Sequence, residues 1–194
     1  MTKTQTTADN GFSIEILKQL AFMQHEGESF FIVNNKAYIG EEDSAKESYD
    51  AANEDYESFN DFCSNECDEV EEFNNDDYLV LTDEEANEKV KEYIEGSLWA
   101  FNADFIIGEC GLDFSGVDSL RKMQQDSCED ANDFIRSLID KCTDIDSFVE
   151  SAVRADGRGH FLSSYDGEEN EETVCEFCEE TGENETMFYI YRVN

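Results

Sequence analysis

Carboxylates are the residues here whose type and spacing could do chemistry. Between Glu41 and Asp77 the chain carries sixteen acidic side chains and one Lys, and Glu47, Asp50, Glu54, Glu57 and Asp61 recur at alternating steps of three and four. In a helix such steps fall on one face, so the spacing predicts a carboxylate stripe, with Asp55 beside it. No Lys or Arg is interleaved to form i,i+4 pairs, and neighbours in such a stripe repel by roughly a few tenths of a kcal/mol. The chemistry this offers is display of fixed negative charge to a cationic surface. B-DNA presents phosphates about 3.4 Å apart along each strand, while acids on this stripe would step about 5 Å, a loose but serviceable match. Glu47, Asp50, Glu54, Asp55, Glu57 and Asp61 are therefore the expected partner-binding residues, and a basic nucleic-acid-binding protein is the expected partner. The plain alternative is a solvated helix face.

Thiols are the second candidate. Cys175-Glu176-Phe177-Cys178 has the spacing of half a zinc site, and Cys63 and Cys67 stand at i,i+4, so four thiolates could converge on a zinc ion. Neither pair is flanked by the glycines of a zinc knuckle, and surrounding carboxylates suppress the thiolate form. The expectation is no cofactor, with zinc as the alternative. Asp166 to Glu172 and Asp140 to Asp146 are rich in oxygen ligands but lack the ligand order of an EF-hand loop. Gly157-Arg158-Gly159-His160, with Arg154 a turn earlier, is the one basic island of the C-terminal third. It could take a phosphate or merely neutralise nearby acids. Only His25 and His160 are available for general acid-base work, and no phosphate-binding glycine loop, serine elbow or helical HExxH is present. The chain reads as non-enzymatic.

The whole-chain charge agrees. Forty-nine Asp and Glu against 13 Lys and Arg give −36 at neutral pH, which excludes nucleic acid and anionic membrane as direct ligands. Self-repulsion of that size costs stability, so it calls for high salt or a cationic partner. Met1 to Asn10 is polar, and no stretch approaches the roughly 18 apolar residues of a membrane span. Seven cysteines, an odd number in a chain of this length, fit reduced thiols. A cytoplasmic protein is expected. Fifteen Phe and eight Tyr supply a core that a disordered acidic tail would lack. Proline is absent; nothing physical explains it.

The elements that must position these residues follow from periodicity. A short amphipathic helix is predicted over Phe12 to Gln24, then a hairpin of Phe30 to Val33 with Ala37 to Ile39 across Asn34-Asn35, a pair suited to positive φ. Apolar residues at Ala45, Tyr49, Ala52, Tyr56, Phe59 and Cys63 predict the inner seam of one long acidic helix. Tyr78 to Leu81 reads as a strand and Thr82-Asp83-Glu84-Glu85 as a capping box opening the next helix. Helices are predicted near Asp104 to Ile107, Val117 to Gln124, Cys128 to Ile139 and Ile145 to Arg154. His160 to Tyr165 and Met187 to Val193 are expected to pair as antiparallel strands around an acidic loop, with Tyr78 to Leu81 in the same sheet. The predicted fold class is α+β: a small, mostly antiparallel sheet, several packed helices and one long acidic amphipathic helix. Its organisation would be a flexible tail over 1–11 and a single domain over 12–194, with an acidic helical insertion at 41–77, a helical subdomain at 104–155 and a C-terminal hairpin at 156–194.

Ala155-Asp156-Gly157-Arg158-Gly159-His160-Phe161-Leu162-Ser163-Ser164-Tyr165-Asp166-Gly167-Glu168-Glu169 and the terminal Phe188-Tyr189-Ile190-Tyr191-Arg192 resemble segments of small acidic bacteriophage proteins with no assigned activity. Tyr78 to Phe105, with Ser97-Leu98-Trp99-Ala100-Phe101-Asn102, is similar to the same group. Together these segments cover a third to a half of the chain. The resemblance implies a phage origin and nothing about catalysis. Small acidic phage proteins as a class include DNA mimics that block restriction and CRISPR proteins, so inhibition of a host defence protein is the function expected by analogy. A phage structural or accessory interaction protein and a zinc-stabilised interaction module are the alternatives.

Overall fold

Ser13 accepts a hydrogen bond from the Ile16 amide and opens helix α1, Ile14–Glu26, which Gly27 closes at φ 74°. That cap needs a left-handed backbone, which glycine adopts at no steric cost. The computed structural model describes residues 11–52, 55–178 and 182–194, with 176–178 and 182–184 by their backbone alone; the tail expected over 1–11 lies almost wholly outside them. Strands β1, Phe30–Val33, and β2, Lys36–Ile39, form the predicted hairpin, and Asn34 and Asn35 take the positive φ values, 52° and 61°, of its two-residue turn. Helices α2, Glu42–Ala52, and α3, Phe59–Glu66, precede strand β3, Tyr78–Leu81. Then come α4, Asp83–Gly96; α5, Ala103–Glu109; α6, Val117–Ser127; α7, Asn132–Cys142; α8, Ile145–Asp156; and α9, Arg158–Leu162. Strands β4, Asn170–Cys178, and β5, Gly182–Arg192, complete a three-stranded sheet of order β3-β5-β4. The fold is α+β, as predicted.

The domain expected over 12–194 is divided into two compact units, Met1–Asp83 with Asn170–Ile190 and Glu84–Glu169 with Tyr191–Asn194. The physical reason is that each buries its own apolar faces. In the first unit Leu17, Leu20, Ala21 and Met23 of α1 share a cluster with Val80, Val174, Phe188 and Ile190 of the sheet and Ala37 of the hairpin. Successive strand residues point to opposite faces. Phe30 and Ile32 therefore join that cluster, while Phe31 and Tyr38 face a second one with Phe62, Cys63, Tyr49 and Phe59. In the second unit the rings of Phe101, Phe105, Phe148 and Phe161 pack at centroid spacings of 5.4 to 6.1 Å, and Ile106, Ile135 and Ile139 are fully buried.

Two predicted elements are corrected. The long acidic helix of 41–77 is two helices and an extended segment. Its apolar seam is real, since Ala45, Tyr49, Tyr56, Phe59 and Cys63 all enter the second cluster. A continuous helix would hold residues 49 and 59 about 15 Å apart, yet the Tyr49 ring lies 5.7 Å from Phe59 and 5.9 Å from Phe62. Folding the seam onto itself lets its own rings pack against one another, which a straight helix does not allow. The second correction concerns 156–194. His160 to Leu162 belong to helix α9, and β5 pairs instead with β4, drawn from the expected acidic loop, in the register Asn170↔Ile190 to Cys178↔Gly182. Close approach explains it: a Cβ on Gly159 would stand 2.4 Å from the Gly167 carbonyl oxygen, so the chain doubles back onto α9 before β4 begins.

Candidate functional site

The residues of the predicted stripe are dispersed over two helices and the bend between them. Glu47 and Asp50 lie on the exposed face of α2, one turn apart, and Asp43 extends the same row. Glu54 lies outside the described residues. Asp55 and Glu57 are exposed in the bend before α3. Asp61 has a different task. Ser58 Oγ accepts from the Asp61 amide at 3.1 Å, while Asp61 Oδ2 accepts from the Glu57 amide at 3.1 Å and Oδ1 from Asn65 Nδ2 at 3.3 Å. This cap satisfies the Asp61 amide, which the first turn of α3 cannot bond internally, and the Glu57 amide just ahead of the cap. Asp61 is thus a structural carboxylate. The Ser58-x-x-Asp61 spacing ahead of Phe62 was the sequence signal for this helix start, and the apolar seam obscured it.

After α3 the chain runs extended through a second set of acids. The Ile39 amide donates to the Asp68 carbonyl at 2.9 Å and the Val70 amide to the Ala37 carbonyl at 2.8 Å, so 68–70 adds to the free edge of β2. Lys36 Nζ pairs with Glu69 at 2.7 Å, and Val70 turns to the α1 side of the hairpin. Between this segment and α1 opens a groove of about 800 Å³, lined by Glu28, Asp68, Glu69, Glu71 and Glu72 over Met23, Ile39 and Val70. Among the described residues, no Lys or Arg lines it. Periodicity missed the groove because Asp68 to Glu72 reads as one more charge run; the signal was Val70, a lone apolar residue among four acids.

Other candidate chemistry is absorbed by the architecture. Burial, then the neighbouring Cys67, pushes the Cys63 thiol up to about 11. Cys67 ends α3, Cys175 is exposed on β4, and the Cys178 side chain lies outside the described residues. Among the described residues, no group of three or more His, Cys, Asp and Glu is gathered so as to hold a metal ion. Asp166 accepts from Ser163 Oγ at 2.6 Å and from the Glu168 amide at 2.9 Å, bonds that hold its carboxyl below the usual range. Asp144 caps α8, and Asp146 pairs with Lys91.

Within the basic island, Arg158 makes a fork on Glu169, Nε to Oε2 at 2.8 Å and Nη2 to Oε1 at 3.1 Å, and donates to Asn87 Oδ1 at 3.1 Å. Tyr191 completes the network by donating its hydroxyl to Glu169. Arg158 is therefore a structural cation, and the phosphate-binding option does not fit it. His160 is exposed and packs edge-on against Phe161. His25 Nδ1 lies 3.8 Å from Glu172.

No helix among the described residues is long and apolar enough to cross a membrane. No protein-family model, curated protein or solved structure matches the chain.

Proposed function

We propose that the protein is a non-catalytic inhibitor that acts as an acidic DNA mimic, its carboxylates occupying the nucleic-acid-binding surface of a host protein such as a restriction or CRISPR component. The observation that carries this reading is the distribution of charge. The unit of Met1–Asp83 with Asn170–Ile190 holds 28 acidic and 4 basic side chains, a net of −24, against 21 and 9, a net of −12, in the other. Its described lysines are already engaged: Lys18 with Glu15 at 3.5 Å, Lys36 with Glu69 at 2.7 Å and Lys46 with Glu42 at 2.6 Å. Glu42 and Glu69 apart, the acids of α2, the bend and the 68–72 segment are therefore left to counterions or a cationic partner. Acids one helical turn apart step about 5 Å along the axis, within the screening length of about 8 Å at physiological salt, so they act together on an approaching surface and speed its association. The host cytoplasm is where such a target would be met.

The test is capture of a host protein on the immobilised chain, followed by competition with duplex DNA at low and high salt. The expected result is a nucleic-acid-binding protein displaced by DNA and released by salt. Replacing Glu47→Gln, Asp50→Asn, Asp55→Asn and Glu57→Gln together, with the capping Asp61 left in place, is expected to weaken that binding at least tenfold. A captured protein indifferent both to DNA and to the fourfold variant would refute the proposal.

A further inference from the structure

The groove beside α1 has features that a merely solvated acidic face lacks. Ile39 is 52% exposed within it, an aliphatic side chain open to water between acidic walls. The backbone geometry adds a second. In the antiparallel bridge between Tyr38 and Glu69, the bonds to β2 are made by the Asp68 carbonyl and the Val70 amide, so the N–H and C=O of Glu69 point away from β2. Among the described residues they have no main-chain partner. The segment is thus the outer edge of a short ladder; the Phe73 amide donates to the Glu15 carbonyl of α1 at 3.2 Å, which leaves 68–72, roughly 13 Å in extended form, as that edge.

Charge complementarity decides what such an edge can accept. Among the described residues, five carboxylates line the groove and only Glu69 is paired with a lysine. A second copy of this chain would bring its own excess of acids, so self-association through this face is opposed. We propose that the groove receives an extended, lysine- or arginine-rich segment of the partner protein, with an aliphatic side chain seated against Ile39. This rests on the reading above that the partner surface is cationic, and adds a place and a pattern to it. A strand laid along 68–72 bonds through its main chain to Glu69 and turns alternate side chains to opposite faces. A period-two sequence then puts apolar residues toward Ile39 and Val70 and cations toward the carboxylates.

Two amidated octapeptides provide the test, one of alternating Lys and Val and one of alternating Lys and Ser, titrated by fluorescence anisotropy. Seating one aliphatic side chain is worth roughly tenfold in affinity, so the Lys-Val peptide is expected to bind about tenfold more tightly than the Lys-Ser peptide. Ile39→Ser should abolish that difference and leave Lys-Ser binding unchanged. Ile14→Ser, at another exposed aliphatic residue of the same unit, should change neither. Glu71→Gln with Glu72→Gln should weaken both peptides. Equal binding of the two peptides, or a Lys-Val affinity that Ile39→Ser leaves intact, overturns the groove proposal while salt-sensitive binding of both still supports a cation-seeking surface. Binding of neither peptide overturns the groove and that reading together.

Discussion

Replacing Glu169 by Gln is a demanding test of how the second unit is held together. Arg158 begins α9 and its side chain is 10% exposed, while that of Glu169, just before β4, is 25% exposed. The carboxylate accepts both arms of the guanidinium and the hydroxyl of fully buried Tyr191. An amide in its place has the same shape but no charge, and its NH2 cannot accept from a donor. One arm of the fork is lost and the guanidinium is left uncompensated. Removing one member of a buried pair costs about 3–5 kcal/mol, and partial exposure of Glu169 lets water replace some of the lost bonds, which places this variant near 3 kcal/mol. With a urea m-value of about 1.5 kcal/mol/M, the midpoint should fall by about 2 M. The only tryptophan, Trp99, lies in this unit, so its fluorescence follows the surroundings of that residue there. Tyr191→Phe should cost about 1 kcal/mol. Arg158→Met combined with Glu169→Leu should recover most of the loss, since well-packed apolar residues commonly replace a buried ion pair without penalty. A Glu169→Gln midpoint within about 0.3 M of wild type, a shift near 0.5 kcal/mol, would refute the reasoning. So would a double variant less stable than the single one.

Two further outcomes follow from the caps. Ser58→Ala removes the acceptor for the Asp61 amide and should cost about 1 kcal/mol, read as roughly fivefold faster amide exchange across 59–66, with Ser58→Asn near wild type; unchanged exchange would mean that the aromatic cluster alone holds α3. The Ser147 amide, then its hydroxyl, hold the Asp144 carboxyl below its ordinary range. A depressed folded pKa means that the stabilisation is complete above the unfolded value of about 3.9 and is lost as pH falls through the lower folded one. The Trp99 unfolding midpoint should therefore drop in acid below that point, and Asp144→Asn should flatten the drop. An acid limb identical in the two proteins would assign it to other carboxylates, Asp113 and Asp166 foremost, which are depressed in the same direction.

The sequence by itself determined the properties that are local or summed along the chain. Asn34-Asn35 dictates a two-residue turn because both residues tolerate positive φ. Helical period, a local property, puts Ile14, Leu17 and Leu20 or Ala21 on one face of α1, of which all but the exposed Ile14 are buried, and the charge requires only counting. Tertiary structure decided whatever depended on which apolar surface met which. The seam of Ala45, Tyr49, Tyr56, Phe59 and Cys63 was legible as buried, but a straight helix and a folded-back pair share that periodicity; the approach of Tyr49 to Phe59 and Phe62 selects the second and leaves Asp61 as a cap. Strand β4 was hidden because its pattern of Glu171, Glu172, Thr173, Val174 and Cys175 offers a single fully buried side chain, Val174, whose partners Phe188 and Ile190 lie more than a dozen residues away. Arg158 reads as an available cation until Glu169, eleven residues on, is folded against it. The groove needs α1, β2 and 68–74 together, and no one of them encodes it. Charge is additive along a chain and survives any fold, whereas a cleft, a fork or a helix break exists only once distant segments have excluded water from between them.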